Sequence, residues 1–198
     1  MTSHNLEEPV RRRTGGRSAR IRETVLSAAL QALEANGVGG LTISEIARRS
    51  GVHATSIHRR WGTLENVLFE AVLTYSQQTL PIPDTGSVRG DFIAFARLMA
   101  NYLETPLGKT VMRTMASAQD HSERANTRAE VLRVRFETAS VMAARGIERG
   151  EIRAGIEPKF AQELLVAPIY LRRLVTREPI DDGFIERVVD TLLRGLAG

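Results

Sequence analysis

LTISEIARRSGVHATSIHRRW, residues 41–61, decides how this chain folds. Thr42 can accept the free N–H of Glu45 while the Glu45 carboxylate reaches back, a capping box that starts a helix. Ile43, Ile46 and Ala47 then share one face of a short helix. Gly51 follows, where a residue without Cβ turns the chain through positive φ cheaply, and Val52 can plug the corner. In the next periodic run Ile57 and Trp61 face inward, which leaves Ala54, Thr55, Ser56, His58, Arg59 and Arg60 outward. Small residues, hydroxyls, an imidazole and guanidiniums on one face are what a helix in a DNA major groove needs. A helix-turn-helix is the first reading. A plain helical corner with a solvated basic face is the competing one.

The charge distribution bears on that choice. The net charge is +4, and residues 1–62 hold ten Arg against five Glu, so the whole excess lies with the helix-turn-helix. A basic module on a neutral remainder suits a partner that is polyanionic at one end only. The first residues, 1–17, are polar and aperiodic and read as a disordered basic arm. Two readings of Arg11, Arg12 and Arg13 stay open: contacts with a minor groove or phosphates beside the bound helix, or a solubilising tail.

The periodicity elsewhere is helical throughout, with no strand pattern. Ser18 reads as the cap of a first helix that Gly37 ends, and Gly62 and Thr63 introduce a fourth. A long helix from Asp91, a short one after Pro106, a segment from Ser122 to Gly150, a helix ending near Thr176 and a last one over 182–196 complete the pattern. The expectation is an all-α chain of about nine helices. It divides into a helix-turn-helix unit over 18–62, a linking helix over 63–79, and a ligand-binding and dimerisation part over 80–198.

Several classes are excluded by what is missing. The chain has no Cys, no HExxH, no GxSxG, no P-loop and no Rossmann glycine fingerprint. No enzyme activity and no cofactor are expected. Asp120, His121 and Glu123 cluster at a helix start, readable as a metal site or as an acidic cap with an exposed His. No h-region precedes residue 17 and the longest apolar run, 164–171, contains Pro168, so the expected protein is soluble, cytoplasmic and without a membrane span.

The order of a first helix ending at Gly37, then LTISEIARRSGV, TSIHRRW and Gly62-Thr63 before a fourth helix resembles the DNA-binding domain of the tetracycline-repressor (TetR) family of bacterial transcription regulators, over about residues 18–75. The later stretches PLGKTVMRTMASA and LLVAPIYLRRLVTREPIDDGFIERVVDTLLRGL resemble the ligand-binding half of one subgroup. The resemblance implies an all-helical homodimer that binds a palindromic double-stranded DNA operator, most often as a repressor, and is released by a small-molecule effector. It places Ser44 and Ala54 to Ser56 against bases, and Thr42, His58, Arg59 and Arg60 against phosphates or base edges. Trp61 then fills a slot usually held by Phe. His58 stands where Tyr is common, Leu64 where a phosphate-gripping Lys is usual, and His53 where Ser or another cap is usual.

The family arrangement also places an effector cavity among Phe92, Phe95, Met99, Tyr102, Met112, Met115, Leu132, Arg135, Phe136 and Tyr170, where Met and aromatic side chains suit a plastic apolar pocket, with plain core as the competing reading of each. Val111 belongs to the same expectation. Arg135 reads either as a selector for an acidic ligand or as a solvated Arg. Dimerisation is expected through Leu164, Leu171 and Val175 with Phe184, Val188 and Leu192 of the last helix, as a four-helix bundle. Pro168, in mid-helix, removes an N–H and is expected to bend its helix. A ligand-binding or scaffold protein whose helix-turn-helix no longer reads specific DNA is the alternative, and salt-dependent binding to a palindrome separates the two.

Overall fold

The computed structural model of the chain describes residues 15–117 and 123–196. Arg11, Arg12, Arg13, Asp120 and His121 lie outside the described residues, as do the side chains of Met115 and Glu123. Ten α-helices and no strand occur among the described residues. They are α1 (Gly15–Asn36), α2 (Ile43–Ser50), α3 (Ala54–Trp61), α4 (Leu64–Thr79), α5 (Val88–Glu104), α6 (Pro106–Ser117), α7 (Glu123–Ala139), α8 (Val141–Glu148), α9 (Pro158–Leu171) and α10 (Asp182–Leu196).

Several boundaries follow the sequence. Gly37 adopts φ +64 and its N–H bonds to Leu33 O, closing α1. Thr63 caps α4 by accepting from Asn66 N at 3.2 Å. Other boundaries move for local reasons. α1 begins at Gly15, a turn before Ser18, whose hydroxyl instead accepts from Arg60 Nη1 at 3.1 Å. α5 begins at Val88 because Ser87 caps it by accepting from Gly90 N at 3.1 Å. The segment expected as one helix from Ser122 is divided at Ser140 into α7 and α8. In α7, Val131 and Ala139 are buried while Ala129 is exposed. Across Pro168, α9 continues to Leu171 and only then loosens into a π turn, Arg172–Thr176. Arg177 N bonds to Arg172 O, five residues back, and Arg177 itself takes φ +59. The irregularity therefore follows the proline instead of centring on it.

Two apolar cores organise the helices. The first gathers Val25, Ala29, Leu33, Ile46, Ile57, Trp61, Val67 and Val72 of α1 to α4, together with Leu107 and Val111 of α6 and Val131 of α7. Val111, expected at the effector cavity, thus belongs to the helix-turn-helix core. Each of these three later residues contributes roughly 1.5–3 kcal/mol by burial, so α6 and α7 hold the N-terminal unit as well as their own. The second core joins Phe92, Phe95, Met99 and Leu103 of α5 to Met142, Leu165, Ile169, Ile185 and Val189.

A buried ion cluster fixes the link between the halves. Asp91, with no exposed surface, accepts from Thr85 N at 2.6 Å and Thr85 Oγ1 at 2.9 Å. Arg145 Nη2 lies 3.4 Å from the same carboxylate, while its Nη1 reaches Asp84 at 2.8 Å. The loop leaving α4 is thereby tied to α5 and α8.

Candidate nucleic-acid interface

The helix-turn-helix is built as its residue pattern requires, with one change. Thr42 Oγ1 accepts from Glu45 N at 3.1 Å, so the cap forms. The Glu45 carboxylate does not reach back to it. Arg48 and Arg49 take both of its oxygens, at 2.6–2.9 Å, and hold the carboxyl down at about 2. Two guanidiniums outbid one neutral N–H, because charge-assisted bonds are about twice as strong. Gly51 closes α2 at φ +68 with its N–H on Ala47 O at 2.9 Å, the left-handed step the turn needs.

Ile57 and Trp61 seat α3 inward, both buried. The Trp61 indole N–H donates to Glu70 of α4, and Arg22 of α1 binds the same carboxylate while its Nη2 reaches Thr74 at 3.3 Å. Glu70 thus ties the recognition helix to both of its supports. Nothing singled it out in the sequence, although a buried indole N–H requires an acceptor somewhere nearby. Glu70→Ala is expected to lower stability to urea by about 1–3 kcal/mol, since the Trp61 donor is stranded. Glu70→Gln, which keeps an acceptor, should recover part of that loss.

With this seating, Thr42, Ser44, Thr55, His58, Arg59 and Arg60 are exposed, and Ala54 and Ser56 half-exposed. Arg59 has no ion-pair partner among the described residues, so its charge is available. Arg60 is held along the surface by Ser18, its guanidinium 5.2 Å over the Trp61 ring. His58 Nδ1 is 3.1 Å from Gly62 O, which orients the ring at the end of α3. His53 makes no side-chain cap, so it leaves the first N–H groups of α3 without a side-chain acceptor. Leu64, standing where the family pattern has Lys, is half-buried against the first core.

The residues expected at an effector cavity fall into two groups. Phe92, Phe95, Met99 and Tyr102 of α5 are buried. Met112, Leu132, Arg135, Phe136 and Tyr170 are half-buried, from α6, α7 and α9. Arg135 Nη2 donates to Leu80 O at 3.0 Å, which makes it a held residue and not a solvated one. Burial holds the Arg135 guanidinium below its ordinary range and raises the Tyr102 hydroxyl far above the usual tyrosine value. Burial likewise pushes Tyr170 up to about 12. A titration at 295 nm is expected to find Tyr102 and Tyr170 still mostly protonated at pH 11. The two buried protons are retained on folding, so the stability they supply is complete below about pH 10, the ordinary tyrosine value. It is lost as the pH rises through about 12.

A cleft of about 540 Å³ lies where α1, α4 and the start of α6 meet, with Leu26, Leu30, Tyr75 and Leu107 among its walls. Tyr75 also approaches Tyr102, ring centroids 6.0 Å apart. Tyr75 packs against both cores, so the second core meets the helix-turn-helix support there.

Of the residues expected at a dimer interface, Leu164, Leu171 and Val175 are exposed, as are Phe160 and Leu174. With Ala167 they form one stripe along α9 and the π turn. Phe184 does not join it: it is buried, under the Arg172 guanidinium 3.6 Å from its ring centroid. Val188 and Leu192 are half-buried against their own core. The wide apolar face of α10 goes mainly to its own subunit, which the sequence count of apolar residues could not separate from an interface.

Among the described residues no three His, Asp or Glu side chains could hold a metal ion, and no helix is long and apolar enough to cross a membrane.

Comparison with known proteins agrees with this geometry. Residues 25–71 match the family described as bacterial regulatory proteins, tetR family, and residues 82–192 match the tetracyclin repressor-like C-terminal domain. The chain is 34% identical over 165 residues to the HTH-type transcriptional regulator AqdR of Rhodococcus erythropolis, covering 82% of this chain and 80% of that protein. It is 25% identical to the DNA-binding transcriptional repressor TetR of Mycobacteroides abscessus, over 85% of this chain and 90% of that one. The crystal structure of a TetR family transcription regulator, SCO0332, superposes with a TM-score of 0.77 at 28% identity, covering 90% of this chain and 100% of that one.

Proposed function

The chain belongs to the tetR family of bacterial regulatory proteins and is a DNA-binding transcription regulator, and from that premise we propose that it is a repressor, active as a homodimer on a palindromic operator and released by a small-molecule effector. The observation that carries the DNA contact is the outward face of α3. Thr55 and Arg59 are exposed and make no side-chain bond among the described residues, while Ile57, Trp61 and Glu70 hold the helix in place. Thr55, Ser56, Ala54 and Ser44 read base edges. Arg59, Arg60, His58 and Thr42 grip phosphates, with the uncapped start of α3 beside them.

One α3 reads only a few base pairs, so a second copy is needed to reach the next major groove, about 34–36 Å away. The stripe from Phe160 to Val175 is the contact surface for that copy. Five large apolar side chains at helical spacing on a charged protein of this size are poorly suited to solvent. The effector acts on the second core. Because α6 and α7 place Leu107, Val111 and Val131 in the first core and Met112, Phe136 and Ala139 against the second, a shift of α6 or α7 moves α1 and α4 and changes the separation of the two α3 helices. No catalytic role is assigned.

Titration of the full chain against the DNA upstream of its own gene, beside a scrambled duplex, tests the proposal. Sequence-dependent binding at two protomers per site, weakening steeply between low and moderate salt, is the expected result. Equal affinity for both duplexes at each salt concentration would overturn it.

A further inference from the structure

Five arginines among the described residues are half-buried: Arg22, Arg135, Arg145, Arg172 and Arg173. Four meet a carboxylate. Arg22 binds Glu70, Arg145 binds Asp84, Arg172 binds Glu178 at 3.0 Å, and Arg173 binds Glu104 at 2.7 Å. Arg135 meets none among the described residues, and its one hydrogen bond is to the carbonyl of Leu80. A guanidinium presents five N–H donors, so four are left over.

The groups around it do not supply the missing acceptors. The charge of Arg135 is felt by the hydroxyls of both Tyr102 and Tyr170. The Tyr170 hydroxyl has only the thioether of Met99, at 3.9 Å, as a partner, and the Tyr102 hydroxyl has none among the described residues. Leu80, whose carbonyl Arg135 holds, packs in the same core as Tyr102 and Tyr170, so two phenols and a guanidinium, drawn from α5, α9 and α7, lie at one core. The core they belong to is apolar, with Phe92, Phe95, Met99 and Phe136 among its members. A half-buried cation costs free energy unless an anion answers it, and at the four other half-buried arginines among the described residues a carboxylate does so.

We propose that the effector supplies that carboxylate: Arg135, with Tyr102 and Tyr170, is the receptor for the acidic group of a small organic anion whose apolar body packs among the aromatic and Met side chains. This rests on the reading of the second core as the effector site. The guanidinium takes two carboxylate oxygens side by side, and the phenols donate to the same group. Neutral analogues of the same shape leave the guanidinium unanswered and bind more weakly. The contact lies on α7, which also carries Val131 into the helix-turn-helix core, so recognition and release share one helix.

The test uses matched pairs, each a carboxylic acid with its primary amide, on phenyl, naphthyl and eight- to twelve-carbon alkyl bodies. Binding is measured by calorimetry, and release of operator DNA by mobility shift, for the full chain and for Arg135→Gln and Arg135→Lys. The best carboxylate is expected to bind the native protein about tenfold or more tightly than its amide, the amount one charge-assisted pair supplies. Arg135→Gln should abolish that preference while leaving amide binding and operator affinity in place, and Arg135→Lys should restore part of it. Those two readouts show that the variants are folded. Amides that bind and release DNA as well as the acids, or a preference for acids that survives Arg135→Gln, overturn the proposal and leave the effector site standing. Failure of every compound in both series to bind overturns both.

Discussion

Replacing Leu171 and Val175 together with Asp is expected to leave the protein monomeric and to weaken operator binding by a factor of about 10² to 10⁴, the usual advantage of two linked contacts over one. Both residues lie on the exposed stripe of α9 and the π turn, 54% and 68% exposed, and neither contributes to its own core. The substitutions therefore cost the monomer little. In a dimer they bring four carboxylates into an apolar contact, where like charges and desolvation act together. Sedimentation and a mobility shift on full and half operators read the two consequences separately. Phe184→Asp is the contrasting case: it is buried beneath Arg172, so it should unfold the C-terminal half and not dissociate it selectively. Retention of the dimer by the double variant, with affinity unchanged, would place the interface elsewhere on the molecule.

The second large effect concerns Arg59 and Arg60. A dimer carries four of these guanidiniums, and each phosphate contact contributes about 0.9 to the slope of log K against log salt, so the double Ala variant should flatten that slope by about three to four. The two residues should not contribute equally. Arg59 is free, whereas Arg60 is shared with Ser18 and the Trp61 ring and must leave them to reach a phosphate. Arg59→Ala alone is expected to carry the larger part. An unchanged slope in the double variant would mean that these guanidiniums face solvent in the complex.

Much of this architecture could be read from side-chain order, and the exceptions have physical causes. The turn at Gly51, the cap at Thr63 and the inward pair Ile57 and Trp61 were legible because each depends on neighbours within four residues. α10 was legible for the same reason, its seven apolar residues recurring at helical spacing over 182–196. Contacts between distant residues were not. Glu70 reads as one more acid on an amphipathic helix until Trp61 and Arg22 close on it from two other helices. Asp91 reads as a helix-start acid, yet it is wholly buried because Thr85 and Arg145 arrive from the preceding loop and from α8. Glu45 illustrates competition: its cap position was legible, but Arg48 and Arg49 offered stronger donors. Apolar periodicity likewise counts buried faces without saying what buries them. That is why Phe184 fell to its own core, and why Val111 fell to the helix-turn-helix core instead of the cavity.

The most direct test of the account is a photo-cross-linking residue placed at Thr55 in the full chain, bound to a labelled operator, with the same residue at exposed Thr191 of α10 as control. Thr55 is exposed on the outward face of α3, and Thr191 lies in the C-terminal half. Cross-links from Thr55 to operator bases, competed away by unlabelled operator and lost at high salt, are expected, and none from Thr191. Retained operator binding with no cross-link from Thr55, or equal cross-linking from both positions, would contradict the claim that α3 is the element that reads DNA.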